Sequence, residues 1–119
     1  MDAKLHVVSL WAEDLHQTAH FYRDVIGLRL MPHHGDRPHF DLGGVYMVLV
    51  EGKPAVREEG PSDRFPILAF AVKDLEEAIN HLRAHEVDLP WEIEVGHGMR
   101  WIMFNDPAGN LIEFVEFLF

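Results

Sequence analysis

The chain has 119 residues, of which 48% are hydrophobic, so it predicts one domain with a substantial apolar core. Its 20 acidic against 10 basic side chains give a formal net charge of −10, which argues against general nucleic-acid binding and docking on anionic lipid. The absence of cysteine excludes disulfides, thiol nucleophiles and metal sites built on cysteine.

Two further patterns bear on location. No run of the sequence approaches the roughly 18 consecutive apolar residues that suggest a transmembrane helix. Residues 1–4 lead into a strand-like stretch without the regions of a signal peptide. The sequence therefore predicts a cytoplasmic protein that binds neither membranes nor nucleic acid.

The first half of the chain begins with a strand and a helix. Residues 7–12 are rich in apolar and β-branched side chains, and the apolar period becomes helical after Asp14. Asp14 and Gln17 have the spacing of an N-terminal cap, and Gly27 is placed to end the helix. The apolar stripe of this helix consists of Leu15, Ala19, Tyr22 and Ile26.

Three predicted strands complete this first half. They lie near residues 28–33, 37–42 and 45–51, and glycine-containing turns separate them. Residues 52–65 combine glycine, proline, serine and aspartate, which predicts a linker.

The second half repeats the same order. Residues 67–75 align with residues 7–15, and each stretch closes with an Asp-Leu pair. Asp74 and Glu77 take the capping positions of a second helix, and strands are predicted near 91–95, 99–105 and 110–118. The sequence thus predicts an α+β fold, a single domain over 1–119 made of two βαβββ modules, about 1–51 and 66–119.

Several short motifs are typical of one known group of proteins. They are Asp-Leu at 14–15, Phe-Tyr-Arg-Asp at 21–24, Gly-Leu at 27–28, Phe-Asp-Leu-Gly-Gly at 40–44 and Asp-Pro-Ala-Gly-Asn-Leu-Ile-Glu at 106–113. Through them the whole chain resembles the vicinal oxygen chelate superfamily, which contains glyoxalase I, bleomycin-resistance proteins, fosfomycin-resistance enzymes and extradiol dioxygenases. The resemblance implies two modules that enclose a cup, but it does not imply one reaction, because a shared fold does not fix function.

The resemblance also implies four positions for metal ligands, one on each of four strands. In this chain those positions hold Val7, Val48, Ile67 and Glu113. One carboxylate cannot hold a divalent metal, which takes several histidine or carboxylate ligands. We therefore expect no metal cofactor.

The strand register decides this expectation, because a slip of one residue exchanges the two faces of a strand. Such a slip would bring His6 into the cup and favour a site for zinc, nickel, manganese or iron. The alternating row Val8, Leu10 and Ala12 opposes the slip, since it suits the face that packs on the helix, and it places His6 at the end of that row. A metal site built from Glu113 and histidines is the alternative hypothesis.

The remaining histidines are interpreted as surface or loop residues. His16 and His20 share the i, i+4 spacing of His81 and His85, but neither pair has the glutamate of a His-Glu-x-x-His motif. The histidines near predicted turns are candidates for the rim of the cup, and they are His33, His34, His39 and His97.

By the same alternation, the wall of the predicted cup is mostly apolar with a few polar groups, which is typical of small-molecule sites. The alternative is that these side chains fill a collapsed core. The predicted ligand-binding residues are Ser9, Trp11, Tyr46, Val48, Ile67, Trp101, Met103 and Glu113.

Glu113 is the strongest candidate for a catalytic or ligand-orienting residue. A carboxylate in an apolar site must be paired, hydrogen-bonded or protonated. Arg100 is the expected partner by strand pairing, with Tyr46 and Ser9 as alternative hydrogen-bond donors. Without a partner, Glu113 would have a raised pKa and would serve as a general base or as the counter-ion of a cationic ligand beside the tryptophans.

The sequence favours a metal-free protein that binds a small apolar or aromatic molecule, similar in mode to bleomycin-resistance proteins. The first alternative is a metal-dependent lyase, isomerase or dioxygenase, and the second is a structural dimer with a filled cup. The apolar C-terminal residues 114–119 predict a homodimer, since such a patch usually seeks a partner surface.

Overall fold

The computed structural model describes residues 1–32, 37–53 and 66–118. The chain divides into two compact units, Met1–Pro54 and Ala55–Phe119. Each unit holds one four-stranded mixed sheet and one helical region, in the order βαβββ. The predicted α+β class and its two modules are therefore confirmed.

In the N-terminal unit, β1 (Val7–Ala12) leads into α1 (Leu15–His20), which continues as a π-helical segment, Phe21–Ile26. The strands β2 (Arg29–Leu30), β3 (His39–Asp41) and β4 (Tyr46–Glu51) follow. The sheet order is β1-β4-β3-β2, with β1 parallel to β4 and the other neighbours antiparallel. Strands β2 and β3 are shorter than predicted. Residues 33–36, which include the end of the predicted strand near 28–33 and the turn after it, lie outside the described part.

In the C-terminal unit, β5 (Leu68–Ala71) precedes α2 (Leu75–Ala84), and β6 (Glu94–Gly96), β7 (Met99–Asn105) and β8 (Leu111–Phe117) follow. The sheet order is β5-β8-β7-β6, and again the first pair is parallel. β7 has its predicted bounds. β6 starts later than the predicted 91–95, because residues 90–93 form the wall of two cavities instead of pairing with β7.

The predicted helix ends are confirmed by their caps. An Asp14 carboxylate oxygen accepts the backbone N–H of Gln17 at 2.9 Å, and Asp74 accepts that of Glu77 at 3.1 Å. Each carboxylate satisfies a backbone donor that the helix leaves unpaired. Gly27 ends the first helical region with a φ of +87°, a left-handed conformation that glycine adopts without steric cost. The helices in the described part of the chain lack the length and apolar character of a membrane span.

Burial follows the predicted alternation. Leu10 and Ala12 are buried on the side of β1 that faces the helix, whereas Val7, Ser9 and Trp11 in the opposite row are exposed. The predicted register of β1 is therefore confirmed, without the slip. In the C-terminal unit, buried aromatic side chains cover the side of the sheet that faces α2. The rings of Phe104 and Phe114 lie edge to face there, with centroids 5.0 Å apart. Each sheet thus has one face packed on its own helix and one helix-free face.

Arg100 on β7 fastens the start of α2 to β8. Its Nε donates to a carboxylate oxygen of Glu116 at 2.8 Å, and its Nη1 donates to Glu76 at 2.6 Å. Glu116 also accepts the backbone N–H of Leu75, the first residue of α2, at 2.7 Å. The expected pairing of Arg100 with Glu113 is therefore wrong, because the two residues lie on opposite faces of the sheet.

Most of the apolar C-terminal run is buried. Phe114 and Val115 are buried, and Glu116 binds Arg100, while Phe117 and Leu118 are 47% and 54% exposed. The basis for predicting a homodimer is thus reduced, among the described residues, to two exposed side chains. The homodimer stays a prediction, and residue 119 lies outside the described part.

The indole of Trp11 lies directly against the backbone of Gly52. A Cβ at Gly52 would lie 2.4 Å from Cε3 of Trp11, so we expect Gly52→Ala to displace the half-exposed indole. The free energy of unfolding should fall by about 1 kcal/mol, the lower end for overpacking, since the indole can move. Urea unfolding and tryptophan emission measure both effects.

Gly96→Ala is the matched control for that substitution. A Cβ at Gly96 would lie 3.5 Å from Cη2 of Trp101, which is ordinary van der Waals contact. We expect its free energy of unfolding to stay within about 0.5 kcal/mol of the parent protein. Equal losses in the two variants would contradict the close approach at Trp11.

Candidate functional site

The candidate site lies on the helix-free face of the C-terminal sheet. The register of β5, β8 and β7 places Ala69, Glu113 and Met103 side by side in one row across the three strands. The next row on the same face consists of Ala71, Val115 and Trp101. Because Ala69 has no atoms beyond Cβ, it leaves space on one side of the Glu113 carboxylate.

Glu113 is a half-buried acid that has no partner in the described part of the chain. Among the described residues, no hydrogen-bond donor or cation reaches its carboxylate. Burial raises the pKa of Glu113, and the negative charge of Glu94 raises it further. Such a carboxylate is suited to accept a proton or to pair with a cationic group.

Glu94 and Trp101 form a fixed pair beside Glu113. They are opposite each other across β6 and β7, and the indole Nε1–H donates to a carboxylate oxygen of Glu94 at 2.7 Å. This bond orients the indole ring and places a second negative charge near Glu113. Glu94 was not among the predicted site residues. The pairing of β6 with β7 places it opposite Trp101, but this pairing could not be predicted because the start of β6 was placed too early.

A cavity of about 420 Å³ adjoins this face. It is lined by Pro90, Trp91, Glu92, Ile93, Glu94 and Met103. Met103 connects the cavity to the row that contains Glu113. Most of its wall was missed because residues 91–93 were interpreted as a strand, and an irregular segment has no periodicity to reveal it.

A second cavity of about 480 Å³ lies on the helix side of the same segment. Its floor includes Ile79 of α2 and Ile102 of β7, both buried, and Arg83 also lines it. Only the first of these two cavities adjoins the row of Glu113, because Met103 and Glu94 line it.

The other predicted ligand-binding residues lie on the N-terminal unit or at the start of β5. Ser9, Trp11, Tyr46 and Val48 share the helix-free face of the N-terminal sheet, where Ser9 is paired with Val48. Ile67 comes just before β5 and is half-buried. The structure therefore places four predicted residues on one face of the N-terminal sheet and three on one face of the C-terminal sheet. The first four are Ser9, Trp11, Tyr46 and Val48, and the other three are Trp101, Met103 and Glu113.

The ring of Tyr46 contacts two histidines. The ring of His6 lies edge-on to it with centroids 5.5 Å apart, and that of His39 lies 6.3 Å away. The prediction that His6 ends the helix-facing row is therefore wrong. His6 precedes the first residue of β1, so the alternation of the strand does not govern its side chain.

The four positions that the resemblance assigns to metal ligands do not fit a metal. Val7 and Val48 lie on the helix-free face of the N-terminal sheet, Ile67 precedes β5, and Glu113 is the single donor among them. Aliphatic side chains have no lone pair to offer a cation.

Another acidic group is explained by the fold. Ligand atoms of Asp74, Glu76 and Glu116 lie within 4.8 Å of one another. Two of these carboxylates already bind the guanidinium of Arg100, which supplies the positive charge that a metal would bring. This group therefore serves the docking of α2.

The exposed histidines lie where the sequence predicts them. His16, His20, His81 and His85 are exposed on the helices. His97 is exposed in the turn between β6 and β7, with a φ of +48°. His33 and His34 lie outside the described residues.

Comparison with known proteins gives consistent results. A family model described as Glyoxalase/Bleomycin resistance protein/Dioxygenase superfamily matches residues 4–114. A lactoylglutathione lyase from Agrobacterium tumefaciens is 23% identical with a TM-score of 0.73, covering 98% of this chain and 95% of its own. A glyoxalase/dioxygenase from Nostoc punctiforme is 20% identical with a TM-score of 0.78, covering 96% and 90%. The oxidase ChaP-H2 is 24% identical with a TM-score of 0.73, covering 98% and 94%.

Proposed function

The chain belongs to the glyoxalase, bleomycin resistance protein and dioxygenase superfamily, and from that premise we propose that it binds a small cationic molecule with an aromatic or apolar body. This membership confirms the resemblance carried by the sequence motifs. The proposed site is the helix-free face of the C-terminal sheet with its adjoining cavity. Its principal residues are Glu94, Trp101, Met103 and Glu113.

The observation that carries the proposal is the half-buried carboxylate of Glu113, which has no partner within residues 1–32, 37–53 and 66–118 and lies one row from an indole. Burying a carboxylate without a partner costs free energy, which a bound cation would recover. Trp101 stands in the next row of the same face, where its indole can take part in cation–π attraction, and Met103 offers apolar contact. Glu94 adds negative charge, so the site favours a cation over a neutral molecule of the same shape.

The proposed activity is binding without a chemical step. The cavity of about 420 Å³ is within the usual range for small-molecule sites and is lined mainly by apolar side chains. In this mode the apolar body of the ligand supplies most of the affinity, and Glu113 sets its orientation. The mode is similar to the one predicted for a bleomycin-resistance-like protein.

The alternative is a metal-dependent lyase, isomerase or dioxygenase. It is favoured by similarity to solved structures named as a lyase and an oxidase and by the presence of Glu113 at one of the four ligand positions. The aliphatic residues at the other three positions oppose it, since they provide no further donors.

Matched probes test the proposal. Benzylamine is cationic at pH 7, whereas benzyl alcohol has nearly the same shape and no charge. We expect isothermal titration calorimetry to give a Kd at least about tenfold lower for benzylamine, which corresponds to about 1.4 kcal/mol of charge and cation–π attraction. Equal affinity for the two probes would contradict the proposal.

A metal titration tests the alternative on the same protein. Zinc, nickel, manganese and iron(II) are added separately to chelator-treated protein, and the bound metal is counted. Stoichiometric binding that disappears in Glu113→Gln would support the metal-dependent enzyme and overturn the metal-free proposal.

A further inference from the structure

The second cavity, of about 480 Å³, lies on the opposite side of residues 90–93 from the first and has an apolar floor. Ile79 of α2 and Ile102 of β7 form this floor and are only 5% and 4% exposed. Leu89 and the half-buried Trp91 add further apolar wall. The volume is within the usual range for small-molecule sites, so the cavity can hold the apolar body of a ligand.

The wall of this cavity is held at both of its ends. At the end of α2, the backbone N–H of Val87 donates to the carbonyl oxygen of Leu82, and that of Glu86 donates to the carbonyl oxygen of Arg83, both at 3.0 Å. At the other end, Glu94 is paired with Trp101 across β6 and β7. The shape of the cavity is therefore set by the fold before a ligand binds.

Two side chains of opposite charge line the second cavity. Arg83 comes from the last turn of α2, and Glu92 comes from the wall that follows it. Within the part of the chain that the structure describes, neither side chain has a hydrogen bond or an ion pair, with each other or with a third group. Both charges can therefore pair with a ligand.

The signs of these two charges restrict the ligand. A simple anion would be attracted by Arg83 but repelled by Glu92 and by the net charge of −10 of the whole chain. A simple cation would be attracted by Glu92 but repelled by Arg83. A molecule that carries one charge of each sign is repelled by neither side chain as a whole and can pair with both.

We propose that the second cavity binds a zwitterion with an apolar body, of which an α-amino acid with an apolar side chain is the simplest example. Its carboxylate pairs with Arg83, its ammonium group pairs with Glu92, and its side chain lies on the apolar floor. This inference goes beyond the proposed function, whose ligand is a cation and whose site is the helix-free face of the sheet.

Arg83 distinguishes the two sites. Trp91 and Glu92 line both cavities, whereas Arg83 lines the second cavity and not the first. A ligand whose affinity depends on Arg83 is therefore assigned to the second cavity.

Three probes of similar shape test the proposal. L-phenylalanine carries both charges, phenethylamine lacks the carboxylate, and hydrocinnamate lacks the ammonium group. The titrations are done by calorimetry on Glu113→Gln, in which the charge that attracts cations to the first site has been removed. We expect a Kd at least about tenfold lower for L-phenylalanine than for either other probe, because each of them leaves one charged partner unpaired. No binding of L-phenylalanine, or equal affinity for all three probes, would overturn the proposal.

Arg83→Met removes the guanidinium and keeps an unbranched apolar side chain. We expect it to weaken the binding of L-phenylalanine by about 10- to 100-fold and to leave phenethylamine bound no more weakly, since that probe has no carboxylate. Lys73→Met is the matched control, because it removes a positive charge from an exposed residue of the same unit that does not line the cavity. Its affinity for L-phenylalanine should equal that of the parent protein, and equal losses in the two variants would contradict a direct contact with Arg83.

Tryptophan emission locates the bound molecule by a different signal. Trp91 lines the second cavity, so L-phenylalanine should change the emission of the parent protein, and Trp91→Phe should abolish that change while calorimetry still detects binding. An unaltered emission change in Trp91→Phe would place the ligand elsewhere and overturn the proposal. So would L-phenylalanine that binds the parent protein but not Glu113→Gln, since it would then belong to the first site. Because the proposed function is tested with benzylamine and depends on Glu113, the two proposals can fail independently.

Discussion

Replacing Arg100 with methionine is expected to lower the melting temperature by about 5 °C or more. The guanidinium lies between the carboxylates of Glu76 and Glu116, and its removal leaves two acids close together without a cation. Glu116 is buried, so water can compensate for little of the loss. The first turn of α2 should then detach from β8. Thermal unfolding followed by circular dichroism measures the change.

Two variants isolate the cause of that loss. Arg83→Met removes an exposed arginine from α2 itself and should lower the melting temperature by no more than about 2 °C. Adding Glu116→Gln to Arg100→Met removes the unpaired charge and keeps an oxygen that accepts the N–H of Leu75. The double variant should therefore recover part of the loss. Equal effects of Arg83→Met and Arg100→Met would contradict a special role for this network.

The effect of Arg100→Met depends on pH with a definite sign. The arginine holds the pKa of Glu116 and that of Glu76 below their ordinary value of 4.5. The folded chain therefore binds fewer protons than the unfolded chain in the acid range, and this stabilisation is present above the ordinary carboxyl pKa and lost below it. The difference in melting temperature between the two proteins should be largest near pH 7 and shrink below about pH 4.5.

The helices and the strand alternation were predictable because their causes are local. Asp14 and Asp74 cap the two helices with side chains that reach the backbone three residues ahead. The buried row of β1, Leu10 and Ala12, follows from the alternation of its side chains. The π-helical segment Phe21–Ile26 was not predictable in this way, since its apolar residues also suit an ordinary helix.

The partner of Arg100 was predicted wrongly because pairing between strands depends on register. The hairpin turn before β8 sets that register, and Asp106 holds it by accepting the backbone N–H groups of Ala108 and Asn110 at 2.9 Å each. Arg100 then stands opposite Glu116, while Glu113 stands opposite Met103. A one-residue error in register reverses the face of every side chain in a strand.

The residues of the candidate site that lie on β7 and β8 were predictable, whereas Glu94 and the wall at residues 90–93 were not. The alternation of β7 and β8 predicts that Trp101, Met103 and Glu113 share one face, and the register places them there. Their role in binding a ligand stays a prediction. The wall at residues 90–93 was not found, because an irregular segment is shaped by its contacts and has no periodic signal. Glu94 was not found because the start of β6 was predicted three residues too early.

Glu113→Gln is expected to weaken the binding of benzylamine by about 10- to 100-fold, since a hydrogen bond to a charged group contributes about 1.5–3 kcal/mol. Glutamine keeps the size and an acceptor oxygen but removes the charge that attracts a cation. The affinity for benzyl alcohol should stay nearly the same, because that probe has no charge. Isothermal titration calorimetry with both probes measures the two effects. An equal loss for both probes would mean that the substitution had changed the shape of the site.

Glu94→Gln is the matched control for charge. Its amide oxygen can still accept the indole N–H of Trp101, so the ring keeps its orientation while one negative charge is lost. One carboxylate oxygen of Glu94 already accepts the indole N–H of Trp101. Glu94→Gln should therefore weaken benzylamine binding less than Glu113→Gln does. If Glu94→Gln had the larger effect, the principal contact of the cation would be Glu94 and not Glu113.

Glu113→Gln should also make the unliganded protein slightly more stable at neutral pH. The pKa of Glu113 is raised, chiefly by burial and then by Glu94, so ionisation of this acid costs the folded state free energy that glutamine does not incur. We expect a gain of no more than about 1 kcal/mol at pH 7, since the carboxylate is partly exposed. The gain should vanish as the pH falls below the ordinary carboxyl pKa, where both states are protonated. Higher stability with weaker cation binding is the combination expected when an acid is retained for a ligand, whereas a purely structural acid would lose stability on substitution.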